Sequence, residues 1–244
     1  MISNNSTLKS PPVHNFVKIT KEIHVTRCFK KPSKEQTKEN KVCETRAFRA
    51  SGSGVLVDLV NGHATVLSAG HVCTSNGTTP VEDKLYKFSW VENLSILTSK
   101  NKTFRAHIIL AEQATTKSAD LCSLIIPEWK PDVVGLKIER KLPKPGEAIY
   151  YMGAPLGIYH PPTVLLIKGI YNGKINKYNT SISAPAAPGS SGSAVLSLNN
   201  RIYGVVFAVV PSFPTATLMT SYEKTKNFLE RTQKTLELFI LQRD

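Results

Sequence analysis

A serine in a glycine-flanked turn is the first residue of this chain that could do chemistry. Ser191 lies in the segment Gly189–Ser193, directly before the apolar run Ala194–Leu196. Such a turn presents a hydroxyl group at the start of a strand. A serine hydroxyl is a poor nucleophile unless a base removes its proton and a carboxylate orients that base. The turn therefore predicts a nucleophile only if the chain also supplies those two groups.

A histidine and an aspartate at the borders of apolar runs supply them. His71 follows a β-branched run in the segment Val66–Val72, and Asp120 opens the run that ends at Ile126. We predict His71 as the general base and Asp120 as the carboxylate that orients it. The other candidate bases are His107, inside a predicted strand, and His160, in a proline-rich loop. Both are expected to be structural or exposed.

The order of the three residues separates the known classes of serine hydrolase. The α/β-hydrolase order ends in histidine, and no histidine follows Ser191. The subtilisin order needs an aspartate before His71, and the only one, Asp58, is interpreted as a turn residue before Asn61-Gly62. The order His, Asp, Ser, with the motifs Ser-Ala-Gly-His, Asp-Leu-x-x-Leu and Gly-Ser-Ser-Gly-Ser, resembles the chymotrypsin-like (trypsin-like) serine proteases. The HtrA-like and viral branches are most similar.

This resemblance covers residues 46–230 and implies a fold and an activity. The implied fold is all-β, with two six-stranded antiparallel β-barrels packed face to face and a C-terminal α-helix. The implied activity is that of a serine endopeptidase that acts on protein or peptide substrates without a cofactor. The backbone N–H groups of Gly189 and Ser191 would form the oxyanion hole.

Three positions depart from well-known members of that family. Ser190 stands where the digestive and clotting members have an aspartate that pairs with a newly cut N-terminus, so activation by that ion pair is not expected. Pro185 stands where members that cut after Lys or Arg have an acid at the pocket floor. Phe207, Ala208 and Val209, from a wholly apolar strand, are predicted to line the pocket. A small or medium apolar residue is therefore expected before the cleaved bond.

Short apolar runs separated by Gly, Asn and Pro predict the strands of an all-β fold. They lie at residues 54–57, 64–68, 86–91, 95–98, 104–110, 121–126, 148–152, 163–170, 193–198, 202–209 and 217–219. The pattern Thr220–Glu223 resembles a capping box, and Leu229, Leu236, Phe239 and Ile240 recur at helical spacing, which predicts a terminal amphipathic helix.

These patterns predict the domain boundaries. We expect a polar lead-in at 1–45, partly disordered, with residues 16–26 as a potential edge strand. The first barrel, a linker, the second barrel and the terminal helix are expected at 46–128, 129–147, 148–220 and 221–244. Only 24 residues follow Thr220, fewer than the ~90 of a further small domain, so the PDZ module of many HtrA-like proteins is not expected.

Composition limits the compartment and the partners. No apolar run is long enough for a membrane span, and residues 1–20 lack the apolar core of a secretory signal, so an intracellular protein is expected. The cysteines Cys28, Cys43, Cys73 and Cys122 are accordingly predicted to be free thiols. No Cys or His cluster has the spacing of a metal site.

The net charge of +13 is concentrated near the start of the chain. Residues 18–49 hold ten Lys or Arg against four acids. Such a segment can hold an anionic partner such as nucleic acid, but it is also typical of a solvated tail. Two alternatives to a protease therefore stay open: a catalytically silent protease fold used for binding, and a basic nucleic-acid-associated protein. Esterase or transferase chemistry at the same serine is a further alternative.

Overall fold

The β-branched runs form twelve antiparallel strands in the described part of the chain. The structure is a computed structural model, and it describes residues 9–29, 43–57, 64–75, 86–115 and 118–241. The predicted turn at Asp58 and the lysine-rich part of the lead-in lie outside these residues. The strands close into two six-stranded barrels, so the predicted fold class is confirmed.

The first barrel carries the predicted base and carboxylate. Its strands follow the order β1-β2-β3-β6-β5-β4 around the barrel. They are β1 (Phe16–Phe29), β2 (Cys43–Val57), β3 (Thr65–Ser68), β4 (Tyr86–Thr98), β5 (Thr103–Glu112) and β6 (Leu121–Ile125). A one-turn helix, α1 (Gly70–Cys73), follows β3.

The second barrel carries the predicted nucleophile. Its strands follow the order β10-β11-β12-β9-β8-β7. They are β7 (Ala148–Gly153), β8 (Leu165–Lys174), β9 (Asn179–Ser183), β10 (Ala194–Ser197), β11 (Ile202–Val210) and β12 (Phe213–Thr220). Short 3-10 helices lie at Val13–Asn15 and Pro155–Gly157.

The first barrel begins at Phe16, so the boundary predicted at residue 45 lies inside it. β1 pairs with β2 from Phe16 to Cys28 and with β4 from Val17 to Phe29. It is therefore an integral barrel strand between two neighbours rather than an edge strand. Its second half is only half-buried and alternates charged with apolar residues, which is why its hydrophobic pattern is weak in the sequence.

Two further elements differ from the strands expected. Residues 86–98 form one continuous strand, β4, where the sequence suggested two. β9 was not predicted, because its residues Asn-Thr-Ser-Ile-Ser contain a single apolar side chain, Ile182. The pairing of β9 with β12 and β8 holds it in the sheet.

The predicted linker runs between the barrels and contacts both. Leu136 pairs with Val57 of the first barrel, and Ile138 pairs with Ile202 of the second. Trp129 is buried in the core that the two barrels share. The segment 129–147 is thus part of the barrel interface.

The C-terminal helix, α2 (Tyr222–Leu241), is present as predicted. The capping box is not formed, because the Thr220 hydroxyl accepts from Val205 N and Glu223 binds Lys174. Phe228, Leu229 and Leu236 are buried against the barrels. Burial of these apolar side chains, rather than a capping box, therefore stabilises α2. None of the helices among the described residues has the length and apolar composition of a membrane span.

Candidate active site

His71 lies on α1, where it is held by the carboxylate of Asp120. Asp120 precedes β6, is only 4% exposed, and accepts from the His71 backbone N–H through Oδ1 at 2.9 Å. Its other oxygen, Oδ2, lies 2.5 Å from His71 Nδ1. Two bonds from one buried carboxylate fix both the backbone and the ring of His71. They place a proton on Nδ1 and leave Nε2 as the basic nitrogen.

Close packing at Gly70 brings these two residues together. A Cβ atom at Gly70 would lie 1.8 Å from the Glu112 carbonyl oxygen and 2.7 Å from Asp120 Oδ1. Only glycine lets α1 approach the end of β5 this closely. Close packing against Glu112 thus explains why the Ser-Ala-Gly-His motif has glycine at this position.

Ser191 lies in the turn before β10, docked against the first barrel. Its carbonyl oxygen accepts from Ser53 N of β2 at 2.8 Å. A Cβ atom at Gly52 would lie 3.1 Å from that same oxygen and 2.6 Å from the Val72 side chain. Gly52 therefore lies between the turn that holds Ser191 and the helix that holds His71, and its lack of a side chain lets both pack closely against it. The turn that holds Ser191 and the helix that holds His71 and binds Asp120 therefore lie next to each other where the two barrels meet.

The Ser191 hydroxyl is directed toward β11. Its Oγ donates to the Phe207 carbonyl oxygen at 3.4 Å. No hydrogen bond joins it to His71 in the described residues. A distance of 3.4 Å is long for a hydroxyl donor, so rotation about the Cα–Cβ bond releases the hydroxyl at little cost. The hydrogen bond between a nucleophilic serine and its base often forms fully only when substrate binds.

The predicted oxyanion-hole donors are both without an acceptor. Within the described residues, the backbone N–H groups of Gly189 and Ser191 donate to no protein carbonyl. The preceding carbonyl, that of Pro188, accepts from Leu156 N at 2.6 Å. Because the C=O and N–H of a trans peptide point in opposite directions, this bond turns the Gly189 N–H away from Leu156. Gly189 has φ +95°, a conformation that favours glycine.

Ser190 closes the loop locally instead of forming an ion pair. Its N–H donates to the Ala187 carbonyl oxygen at 2.9 Å, and its Oγ accepts from Ala187 N at 3.3 Å. It is 1% exposed. The pKa of nearby Tyr151 is raised by burial, and a hydrogen bond with Ser190 opposes part of that increase. The residue that replaces the aspartate of other members thus stabilises a compact turn.

A concavity of about 200 Å³ lies beside Ser191. Phe207, Ala208 and Val209, the residues that the sequence places in the specificity pocket, line this concavity. The lining also includes residues that the sequence reasoning did not select, namely Ala186, Ala187, Pro188 and Val206. All of these side chains are small or apolar, and none of the lining side chains carries a charge.

Pro185 does not line this concavity, contrary to the expectation that it would lie at the pocket floor. It is exposed, and its carbonyl oxygen accepts from the Tyr151 hydroxyl. Ala186 and Ala187, the next two residues along the chain, line the concavity instead.

The cysteines form two disulfides, so the prediction of free thiols is wrong. Cys28 pairs with Cys43 across β1 and β2, and Cys73 pairs with Cys122. The second bond joins the residue two after His71 to the residue two after Asp120. The prediction rested on the pattern of residues 1–20, whereas the register of β1 and β2 places Cys28 opposite Cys43 and Cys73 of α1 reaches Cys122 of β6.

The remaining histidine candidates make no hydrogen bond with Asp120 or Ser191 among the described residues. His107 is exposed on β5, and His160 is exposed in the loop that pairs with Thr163. Among the described residues, no three His, Cys, Asp or Glu side chains are grouped closely enough to hold a metal ion.

A family model described as the trypsin-like peptidase domain matches residues 52–205. The chain belongs to the trypsin-like peptidase family. The resemblance inferred from the order and motifs of His71, Asp120 and Ser191 is therefore confirmed. No curated protein sequence matches the chain significantly.

Solved structures of the Rv3671c protease from M. tuberculosis share this peptidase fold. Its active form is 15% identical, with 84% of this chain and 78% of that chain covered at a TM-score of 0.57. A serine-to-alanine mutant in the inactive form is 15% identical, with 93% and 97% covered at 0.58. Another structure of an inactive form is also 15% identical, with 90% and 89% covered at 0.56. At this identity the likeness establishes the fold.

Proposed function

We propose that this peptidase-family protein is a serine endopeptidase that cleaves peptide bonds through an acyl-enzyme on Ser191. The observation that carries the proposal is the pair of bonds from buried Asp120 to His71, beside a turn with two unpaired N–H groups. Orientation of a base by a buried carboxylate is the arrangement that activates a serine.

The chemistry follows from these positions. Ser191 Oγ attacks the scissile carbonyl carbon while His71 Nε2 takes the hydroxyl proton. The negative charge moves to the carbonyl oxygen, where the N–H groups of Gly189 and Ser191 stabilise it. His71 then gives its proton to the leaving amine, which breaks the peptide bond. A water molecule, deprotonated by His71, attacks the acyl-enzyme and releases the second product.

The lining of the concavity supports a preference for a small or medium apolar residue before the cleaved bond. A basic side chain would be buried there without a carboxylate partner, since no lining residue is acidic. Burial of an unpaired charge is costly. An apolar side chain instead gains from burial against Phe207 and Val209.

A tagged fluorophosphonate tests the proposal directly, because it reacts with a serine only when its base and oxyanion donors are in place. We expect label on Ser191 in the wild type, located by mass spectrometry, and none in Ser191→Ala. The matched control is Ser193→Ala, which removes a buried hydroxyl from the same turn. Absence of label in a folded wild-type sample would contradict the proposal and favour a silent protease fold that binds a partner.

A further inference from the structure

The loop Ala187–Ser191, called the oxyanion loop below, lacks the ion pair that would hold it. Its position must be fixed by other contacts, because the peptide groups around Gly189 can otherwise rotate and redirect their N–H groups. The loop's own turn between Ala187 and Ser190 is local. It does not anchor the loop to the barrel that carries His71.

Ser53 of β2 supplies that anchor. It is fully buried, with 0% exposure. Its Oγ donates to the Gly189 carbonyl oxygen at 2.8 Å, and its backbone N–H donates to the Ser191 carbonyl oxygen at 2.8 Å. One residue of the first barrel therefore holds the carbonyls of both residues whose N–H groups are the oxyanion donors.

The same hydroxyl also connects a second support. Ser53 Oγ accepts from Ala154 N at 3.0 Å, so both its proton and a lone pair are used. Ala154 begins the turn whose Leu156 N–H binds the Pro188 carbonyl oxygen. A Cβ atom at Gly189 would lie 2.4 Å from the Ala154 carbonyl oxygen. The turn 154–157 and Ser53 thus enclose Gly189 from two sides.

The backbone at Leu156 has an unusual conformation at this contact. Leu156 has φ +55° although it is not glycine, and its side chain is 72% exposed. Such a conformation is uncommon for leucine and persists where surrounding contacts require it. In this conformation the Leu156 N–H donates to the Pro188 carbonyl oxygen.

We propose that Ser53 is a positioning residue that holds the oxyanion loop in the orientation required for catalysis. This inference rests on the proposed function. The hydroxyl reaches the Gly189 carbonyl only when the Pro188–Gly189 segment lies against β2 and the turn 154–157. Without the hydroxyl, Gly189 O and Ala154 N lose a buried partner, and the Gly189–Ser190 peptide group keeps only the local bond from Ser190 N–H to the Ala187 carbonyl oxygen. The sequence signal is the serine between the glycines of Gly52-Ser53-Gly54.

The test compares Ser53→Ala with Ser123→Ala, which also removes a fully buried hydroxyl from the first barrel. The Ser123 hydroxyl donates to Leu110 O and accepts from the Thr232 hydroxyl, and no hydrogen bond among the described residues joins it to the loop. We expect the rate of fluorophosphonate labelling to fall at least tenfold in Ser53→Ala, since loss of one oxyanion donor costs on the order of 10²–10³ in rate. KM for a peptide substrate should stay within about threefold. Ser123→Ala should label at the wild-type rate.

Hydrogen exchange gives a readout that does not depend on activity. In Ser53→Ala, the Leu156 N–H should lose protection at least tenfold relative to Ser123→Ala, because its acceptor Pro188 moves with the loop. If the wild type labels and Ser53→Ala labels equally fast, the inference is overturned and the proposed function stands. If the wild type does not label, the proposed function fails, and unchanged protection at Leu156 would overturn the inference as well.

A second variant covers the case in which Ser53→Ala does not fold. Ser53→Cys keeps a weak donor at the same position. Its labelling rate is expected to lie between those of wild type and a protein without the hydroxyl. A wild-type rate and wild-type Leu156 protection in Ser53→Cys would contradict the inference.

Discussion

At the scale of single residues, the site depends on one buried carboxylate. Asp120 makes both of its bonds to His71, one to the backbone and one to the ring. No other described side chain donates to it. The orientation of the His71 ring is therefore set by Asp120.

Replacement of Asp120 by asparagine should lower kcat for peptide hydrolysis by a factor on the order of 10⁴. The amide would donate to Nδ1 and shift the histidine proton to Nε2, which must accept. Steady-state hydrolysis of a peptide substrate measures the effect. Asp132→Asn is the control, since Asp132 is exposed and pairs only with Lys100 among the described residues. A loss of less than tenfold in Asp120→Asn would exclude Asp120 from the orienting role.

The apolar concavity makes a prediction about selectivity. Ala208→Phe should fill much of the space beside Ser191 and lower kcat/KM for substrates with leucine before the cleaved bond more than for those with alanine. A missing methylene in such pockets is worth roughly 10–200-fold. Labelling by a small fluorophosphonate should persist. Ala50→Phe, at an exposed position of β2, serves as control. Equal losses for both substrates would show that another surface selects the side chain.

At the scale of elements, the turn before β10 is held by close contact with the first barrel. Gly192 has φ +92°, and a Cβ atom there would lie 1.9 Å from the Ser53 carbonyl oxygen and 2.3 Å from Ser68 Oγ. Gly146 has a similar φ of +88° but nothing within 4 Å of its Cβ position. Substitution of Gly146 tests the cost of the backbone conformation alone, whereas substitution of Gly192 adds the cost of a steric clash.

Gly146→Ala should cost about 1–2 kcal/mol in the free energy of unfolding, from the left-handed backbone alone. Gly192→Ala should cost more, because Ser53 and the turn must also move apart. Urea unfolding of both variants measures the difference. Equal losses would mean that the turn relaxes without resistance from β2.

The disulfide Cys73–Cys122 connects the elements that carry His71 and Asp120. Its loop spans 49 residues, against 15 for Cys28–Cys43. Chain entropy predicts losses of about 4 and about 3 kcal/mol when each pair is replaced by serine. Only the Cys73→Ser, Cys122→Ser variant should also lower peptide hydrolysis. Denaturant unfolding and kcat/KM measured on both double variants check this, and loss of activity in both to the same degree would contradict it.

At the scale of the whole molecule, α2 contacts both barrels. The helix contacts β11 of the second barrel and β5 and β6 of the first. Phe228 is 0% exposed within the shared core, and Arg231 pairs with Glu112 of β5. A site divided between two barrels depends on this connection.

Phe228→Ala should destabilise the protein by about 3–5 kcal/mol, as large-to-small changes of buried aromatic residues do. Leu238→Ala is the control on the same helix, since Leu238 is 62% exposed, and it should change stability by no more than about 0.5 kcal/mol. Thermal and urea unfolding measure both. Similar small changes in the two variants would show that α2 contributes little to the packing of the barrels.

The sequence by itself determined the fold class, the family and the catalytic candidates. The reason is that these depend on short-range signals: β-branched runs, glycine-rich turns, and the order of His71, Asp120 and Ser191 along the chain. The wholly apolar run at 204–209, together with the family resemblance, likewise predicted three residues that line the concavity. Each run and each turn is contained in fewer than about ten neighbouring residues, the length of a strand with its turn, and the order of the three residues is read directly from the sequence.

Only the tertiary structure decided how distant segments meet. The membership of β1 in the first barrel, the two disulfides, the exclusion of Pro185 from the concavity and the bonds of Ser53 to the oxyanion loop all depend on barrel closure and register. Ser53 and Gly189 are separated by 136 residues, and no local pattern specifies that pair. Their contact follows from the packing of one barrel on the other, which sequence periodicity does not encode.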